Sequence, residues 1–270
     1  MPKRSPEEKV LAIYTKLAEE WGPQHWWPAQ SRFEVIVGAY LTQNTSWTNV
    51  EIALGNLRRA RVLNVAGIRS IDIEKLERLI RSSGYFRQKA RKLKIFVKFL
   101  DSEYGGSLTR MFAQPTAVLR EQLLALNGVG PETADSILLY AGQHPVFVVD
   151  AYTKRLASRH GVLTEKSSYE EFRSLFEHTL NNPDLVTIHS FTKNGGTGVF
   201  ARSAQSTGLA AHKPSRMSIA KRTALAQVFN EMHGLIVSAG KQYCLKSQGK
   251  CAECPLGPLL EGSNASQRSR

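Results

Sequence analysis

A lone aspartate, a glycine turn, a cluster of tryptophans and three cysteines are the parts of this sequence that could do chemistry. Asp150 ends the apolar run Val146-Phe147-Val148-Val149 and precedes a helical pattern carrying Tyr152, Leu156 and Ala157. An aspartate at such a junction is either an ordinary N-cap or an ionised group set beside a centre where positive charge develops. Eighteen residues earlier stands Glu132, directly behind Gly128-Val129-Gly130-Pro131. The glycines can take positive φ and present bare backbone, and proline suits the first position of a helix. A turn of that kind aims several N–H groups outward and so makes an anion site, phosphate being the usual anion. By itself it is equally an ordinary link between two helices.

All four tryptophans, Trp21, Trp26, Trp27 and Trp47, lie in the first fifth of the chain. Trp21 at a helix end reads as core. Adjacent Trp26-Trp27 before Pro28 cannot both point the same way into a core, so at least one is expected to line a surface or a cleft. Indole faces stack on flat nucleobases, and better on cationic ones.

The elements that must position these groups are helices. Ser5-Pro6-Glu7-Glu8 is a capping box with proline at N1, followed by Val10, Leu11, Tyr14, Leu17 and Ala18 at helical spacing. A second box, Ser31 to Glu34, starts a helix through Phe33, Ile36, Val37 and Tyr40, and a third helix runs roughly from 46 to 61. A short helix over 73–79 follows, with Asp72 as its cap. Next comes a basic amphipathic run in which Arg87, Lys89, Arg91, Lys92, Lys94 and Lys98 interleave with Phe86, Leu93, Ile95, Phe96 and Phe99. A run like this is usually a solvated face over a core; beside a phosphate-binding turn, part of it, Lys89 included, is read as duplex contact, independent of base sequence and sensitive to salt. Residues 117–126 supply the helix before the glycine turn and 168–180 a further amphipathic helix. From about 181 to 220 glycine, serine, threonine and basic residues dominate, which reads as a flexible insertion. A last helix over 228–240 carries His233 on its apolar face, where a histidine is more often a satisfied structural group than a ligand. No stretch alternates as a strand except 145–149, which is too short, so the fold class is all-α.

The spacing of Leu126, Gly128, Val129, Gly130, Thr133 and Ala134, then Val149, Asp150 and Arg155, resembles the helix-hairpin-helix, Gly-Pro-rich loop and Asp signature of the endonuclease III superfamily of DNA glycosylases. Trp26-Trp27-Pro28, Leu41-Thr42-Gln43-Asn44-Thr45 with Trp47, Ser83-Gly84-Tyr85-Phe86 with Gln88-Lys89-Ala90, and Ala134-Asp135 with Ile137-Leu138 and Tyr140-Ala141 are closer to its 3-methyladenine (type III) branch. The likeness covers roughly residues 10–180 and resumes near 227. It implies a six-helix barrel over about 31–160 and a second helical lobe from 1–30 plus 161–270, with Asp150 in the cleft between them, facing the hairpin. It implies that Trp26, Trp27, Trp47 and Lys241 form a base pocket, although a lysine at a helix C-terminus is also an ordinary complement to the dipole. It implies that Gln43 fills the gap left in the duplex by an extruded base, and that Gly128, Val129, Gly130 and Thr133 hold the backbone. Superfamily members that also cut the strand use a lysine nucleophile where this chain has Glu132. A carboxylate cannot form an imine, so the chain is expected to remove the base and stop at an abasic site. The expected substrate is an alkylated purine such as 3-methyladenine, already cationic and so a good leaving group. Two alternatives stand beside it: a glycosylase for oxidised or mismatched bases, and a hairpin protein that binds DNA without chemistry.

Cys244-x6-Cys251-x2-Cys254 resembles the start of the endonuclease III iron–sulfur loop, but the fourth cysteine's place is held by Leu260 and the chain has no other cysteine. Four ligands are the norm for a [4Fe–4S] cluster; a three-thiolate zinc site would need a histidine from elsewhere. Three free thiols in a relict loop are therefore expected over 244–260, a cluster with a non-cysteine fourth ligand being the alternative. The tail from 262 is expected to be disordered. With 36 Lys and Arg against 23 Asp and Glu the formal charge is +13, which calls for a polyanionic partner; the resemblance implies that this partner is double-stranded DNA containing damaged bases. No run of 18 apolar residues and no signal peptide is present, so a cytoplasmic, nucleoid-associated monomer without membrane contact is expected.

Overall fold

The computed structural model describes residues 4–182 and 212–260. Among them the regular structure is helical, apart from one isolated antiparallel bridge between Cys244 and Gly249, and the all-α expectation holds. The chain divides into two compact units, one of Ala29–His144 and one of Met1–Pro28 with Pro145–Arg270.

In the unit of Ala29–His144, helix α2 (Arg32–Leu41) is buried from Phe33 through Leu41. After Glu34, which pairs with Arg58 at 2.7 Å, the run Val35–Leu41 carries no charge on any side, as a central helix requires. The Ser31 hydroxyl caps it by accepting from the Glu34 N–H at 3.1 Å. Against it pack α3 (Trp47–Arg59), α6 (Phe86–Tyr104) and α9 (Pro131–Ser136), which runs on as a π-helical stretch to Gly142; α4 (Val65–Ser70), α5 (Ile73–Leu79) and α7 (Leu108–Met111) pack on α6, and α8 (Thr116–Leu124) on α9. Helix α6 turns Ala90, Leu93, Phe96, Val97 and Leu100 inward. Helices α8 and α9 are locked by Arg120, which grips fully buried Asp135 with Nε at 2.7 Å and Nη2 at 3.1 Å. Such a charge-assisted fork fixes angle as well as distance.

The other unit is built on α12 (Ala224–Gln242), buried without a break from Val228 to Gly240. It packs against α1 (Pro6–Trp21), α10 (Ala151–Arg159) and α11 (Tyr169–Leu180). Helices α1 and α11 both begin with reciprocal capping boxes, Ser5 with Glu8 and Ser168 with Glu171. Phe147 stacks on Phe176 at 4.7 Å and meets Phe229 edge-on at 5.9 Å. Each ring buried this way contributes roughly 1.5–3 kcal/mol. Those contacts correct one expected boundary: residues 145–160 belong with the N- and C-terminal segments rather than with the unit that carries the hairpin, because the run 146–149 inserts its side chains into their core.

Residues 22–28 cross α12 at Gly234, where a Cβ would stand 2.9 Å from Gln24 Cβ and 3.1 Å from Trp26 Cβ. Gln24 is fully buried; its N–H donates to Glu231 Oε2 at 2.8 Å and its Oε1 accepts from Ser238 Oγ at 2.7 Å. Most of the expected insertion, and the tail from 262, lie outside the described residues. Its end does not behave as a free loop: the His212 N–H donates to Gln24 O at 3.1 Å, and Met217 is buried.

Candidate active site and hairpin

Asp150 is the N-cap its sequence position allowed, with one carboxylate oxygen left over. Its backbone is extended, φ −104° and ψ −176°, and its Oδ1 accepts from the Thr153 N–H at 2.8 Å and the Thr153 hydroxyl at 3.0 Å, capping α10. The cap uses one oxygen. The other, Oδ2, faces His233 Nε2 at 3.5 Å, and 15% of the Asp150 side chain is exposed. Burial alone would favour the neutral acid, but the His233 imidazole and the two Thr153 donors outweigh it and hold the pKa below the ordinary carboxylate value. Asp150 is therefore an anion at neutral pH.

His233 was legible in the sequence only as a core residue. It is 3% exposed, and its ring lies 5.9 Å from Trp26 and 6.5 Å from Phe147. Trp26 meets Trp27 edge-on at 5.5 Å. Both indoles are buried, 7% and 6% exposed, so of the surface or cleft expected for one of them the open surface does not hold. The His212 ring stands 5.8 Å from Trp26, and Ser215 Oγ donates to Trp27 O at 3.5 Å. Lys241, in the last turn of α12, is half-buried, next to Gly240, whose bare Cα presses on the ring of Tyr152. Trp47 is the half-buried first residue of α3 and belongs to the other unit.

In the hairpin unit the predicted DNA-contacting residues converge. Gly128 takes φ +80°, the left-handed conformation that a side chain disfavours, whereas Gly130 sits at φ −96° as the N-cap of α9 with open space where a Cβ would be. Gln43 Nε2 donates to Thr133 Oγ1 at 2.8 Å and to Gly128 O at 3.2 Å. Lys92 Nζ closes the group by donating to Gln43 Oε1 at 2.6 Å. Within the basic run, Lys92 is the lysine whose place on the hairpin the sequence did not single out. Val129 is packed inward at 8% exposure, and Glu132 is exposed in the first turn of α9.

Lys89 does not face outward. It is 2% exposed, and its ammonium donates to Leu41 O at 2.9 Å and Ser83 O at 2.6 Å. Desolvation, with Lys92 nearby, lowers its pKa to about 8. Its assignment to DNA contact is corrected: the amine satisfies carbonyls at the end of α2 and at the turn before Gly84, and the exposed cations of this run are Arg87, Arg91 and Lys98.

The cysteine loop is fastened to α10 by two arginines. Arg155 Nε donates to Cys244 O at 2.6 Å, and Arg159 Nη1 donates to Leu245 O at 2.8 Å and to Cys244 Sγ at 3.2 Å. Cys244, Cys251, Cys254, His160 and Leu260 line one cavity of about 20 Å³, room for roughly one water. Burial above all pushes the Cys254 thiol up to about 11. Among the described residues no three His, Cys, Asp or Glu side chains are placed to hold a metal ion. With Leu260 where a fourth thiolate would stand, this donor set does not fit a four-cysteine cluster.

Residues 37–182 match the model of the HhH-GPD superfamily of base excision DNA repair proteins. A protein of Methanocaldococcus jannaschii assigned as a DNA repair glycosylase is 39% identical over 94% of this chain and 96% of its own length. Endonuclease III of Sulfolobus acidocaldarius is 27% identical over 58% of the chain and 69% of the relative. Among solved structures, the 3-methyladenine DNA glycosylase of H. pylori bound to 1,N6-ethenoadenine superposes with a TM-score of 0.67 at 28% identity, covering 88% of this chain and 98% of that one. A DNA complex of endonuclease III, at 19% identity and TM-score 0.68, shares the fold. No described helix is long and apolar enough to cross a membrane. The chain belongs to the HhH-GPD superfamily and is a DNA glycosylase of base excision repair.

Proposed function

We propose that this glycosylase hydrolyses the N-glycosidic bond of an alkylated purine, 3-methyladenine being the type substrate, and leaves the abasic strand uncut. The observation that carries the substrate class is the chain of contacts Trp26–His233–Asp150, which ties an aromatic pair to an ionised carboxylate inside one unit. A base methylated on a ring nitrogen carries positive charge, so it departs without a strong general acid. What the protein must supply is an aromatic slot for the cation and negative charge for the sugar as it gains oxocarbenium character. Asp150 supplies the charge and can orient the attacking water through Oδ2. A stacked base must be extruded before its glycosidic bond can be reached. The cluster of Gln43, Gly128, Thr133 and Lys92 supplies the polar side chains and bare backbone suited to holding the opened duplex. The H. pylori neighbour, a 3-methyladenine glycosylase, supports the same reading.

The test is a base-release assay on duplexes carrying 3-methyladenine, thymine glycol or mismatched thymine, with the wild-type protein and Asp150→Asn. Release of the methylated purine, abolished in Asp150→Asn with duplex affinity retained, is the expected result. Release of thymine or thymine glycol alone would remove the substrate assignment.

A further inference from the structure

The oxygen of Asp150 that its helix cap leaves unused faces a buried imidazole of α12. Oδ1 is committed to Thr153 through two bonds, of 2.8 and 3.0 Å. Oδ2 meets His233 Nε2 at 3.5 Å, and the histidine side chain is only 4% exposed. A ring so enclosed cannot reach a nucleotide. It can set where the carboxylate points. The same ring lies 5.9 Å from Trp26, and one residue along, α12 has Gly234, whose missing Cβ lets the 24–26 segment approach. Two turns further on, at Gly240, the missing Cβ admits Tyr152 of α10. The side of α12 that carries His233 is thus pressed against both the carboxylate's helix and the tryptophan segment.

We propose that His233 is the positioning residue for Asp150: its Nε2 aims Oδ2, and its ring sets the distance between that carboxylate and Trp26. The proposal rests on the reading of Asp150 as the carboxylate of hydrolysis. A histidine serving only as core filler would be replaced best by leucine. A histidine acting through Nε2 would be replaced best by glutamine, whose amide nitrogen reaches nearly the same point, and not by asparagine, whose amide falls one carbon short.

The experiment compares His233→Gln, His233→Asn and His233→Leu in single-turnover excision of 3-methyladenine, with thermal unfolding and affinity for an abasic-analogue duplex measured on the same preparations. The expected order of rates is wild type, then Gln, with Leu and Asn slower by roughly 10- to 100-fold, the range seen when a partner that orients a functional side chain is removed. Duplex affinity stays within about twofold, and unfolding temperature follows a different order, with Leu at least as stable as Gln. Should Leu fail to fold, the comparison of Gln with Asn decides, since both are polar amides differing in reach. Equal rates for Gln and Asn, or a Leu variant as fast as wild type, overturn the proposal. Asp150→Asn run in parallel separates the two failures: if it retains activity, the carboxylate assignment itself has failed; if it is inactive while the His233 variants match wild type, only the role of His233 falls.

Discussion

The side chain of Lys92 lies against the bare Cα of Gly128, so that a Cβ on residue 128 would collide with Lys92 Cε. The glycine therefore meets two demands, a left-handed φ of +80° and room for the lysine whose ammonium holds Gln43 at 2.6 Å. Gly128→Ala should cost about 1–2 kcal/mol for the left-handed conformation alone. It should also swing Lys92 away from Gln43. The expected outcome is a small fall in unfolding temperature with a larger fall, roughly tenfold, in affinity for duplex DNA. An unchanged affinity would show that the cluster is not part of the DNA surface.

Two lysines three residues apart on α6 should behave as opposites. Lys89 donates to two buried carbonyls, so Lys89→Met strands both and should destabilise by about 1–3 kcal/mol per unsatisfied group, with the salt dependence of DNA binding untouched. Lys92→Ala should barely change stability while lowering the slope of log K against log salt by about one, as expected when one phosphate is no longer neutralised by the protein. Urea unfolding and salt titrations of the two variants check both halves.

That contrast shows what the sequence could and could not disclose. Helix starts were legible because a Ser-x-x-Glu box is local chemistry: Ser5 and Ser31 both cap where the pattern put them. Asp150 was legible because position and residue type coincide at a helix start. Lys89 was not, since its partner Leu41 lies 48 residues away, and nothing in an amphipathic run says which lysine is taken inside. His233 was hidden for the same reason, its meaning lying in an aspartate 83 residues earlier. The boundary near residue 145 depended on Phe147 finding Phe176 and Phe229, contacts that no periodicity encodes.

Glu231 offers a test of the segment that carries the tryptophans. Burial raises its pKa from the ordinary 4.5 to about 7, against the opposing pull of the Gln24 N–H, Arg222 and Gln227. The folded value lies above the unfolded one, so this stabilisation is complete below pH 4.5 and is lost as pH rises through 7. The difference amounts to roughly 3 kcal/mol between those limits, at about 1.4 kcal/mol per unit. Glu231→Gln should flatten that part of the stability curve between pH 5 and 8, leaving the protein more stable than wild type at the alkaline end. Denaturant midpoints at pH 5 and pH 8 for both proteins decide it; equal slopes would mean the carboxyl is not held neutral.

Strand cleavage by a glycosylase of this kind requires an amine that attacks the sugar and forms an imine, and Glu132 in the first turn of α9 offers an oxygen acid instead. Borohydride added during turnover should therefore trap no protein–DNA adduct, and the product strand should stay intact until heated in alkali. Glu132→Asp should change neither result, and base release should stay at the wild-type rate, as the role proposed for Asp150 requires. A borohydride-stable adduct mapped to any lysine of the chain would place an amine at the sugar after all. It would turn the reaction from hydrolysis by activated water to displacement by the protein itself.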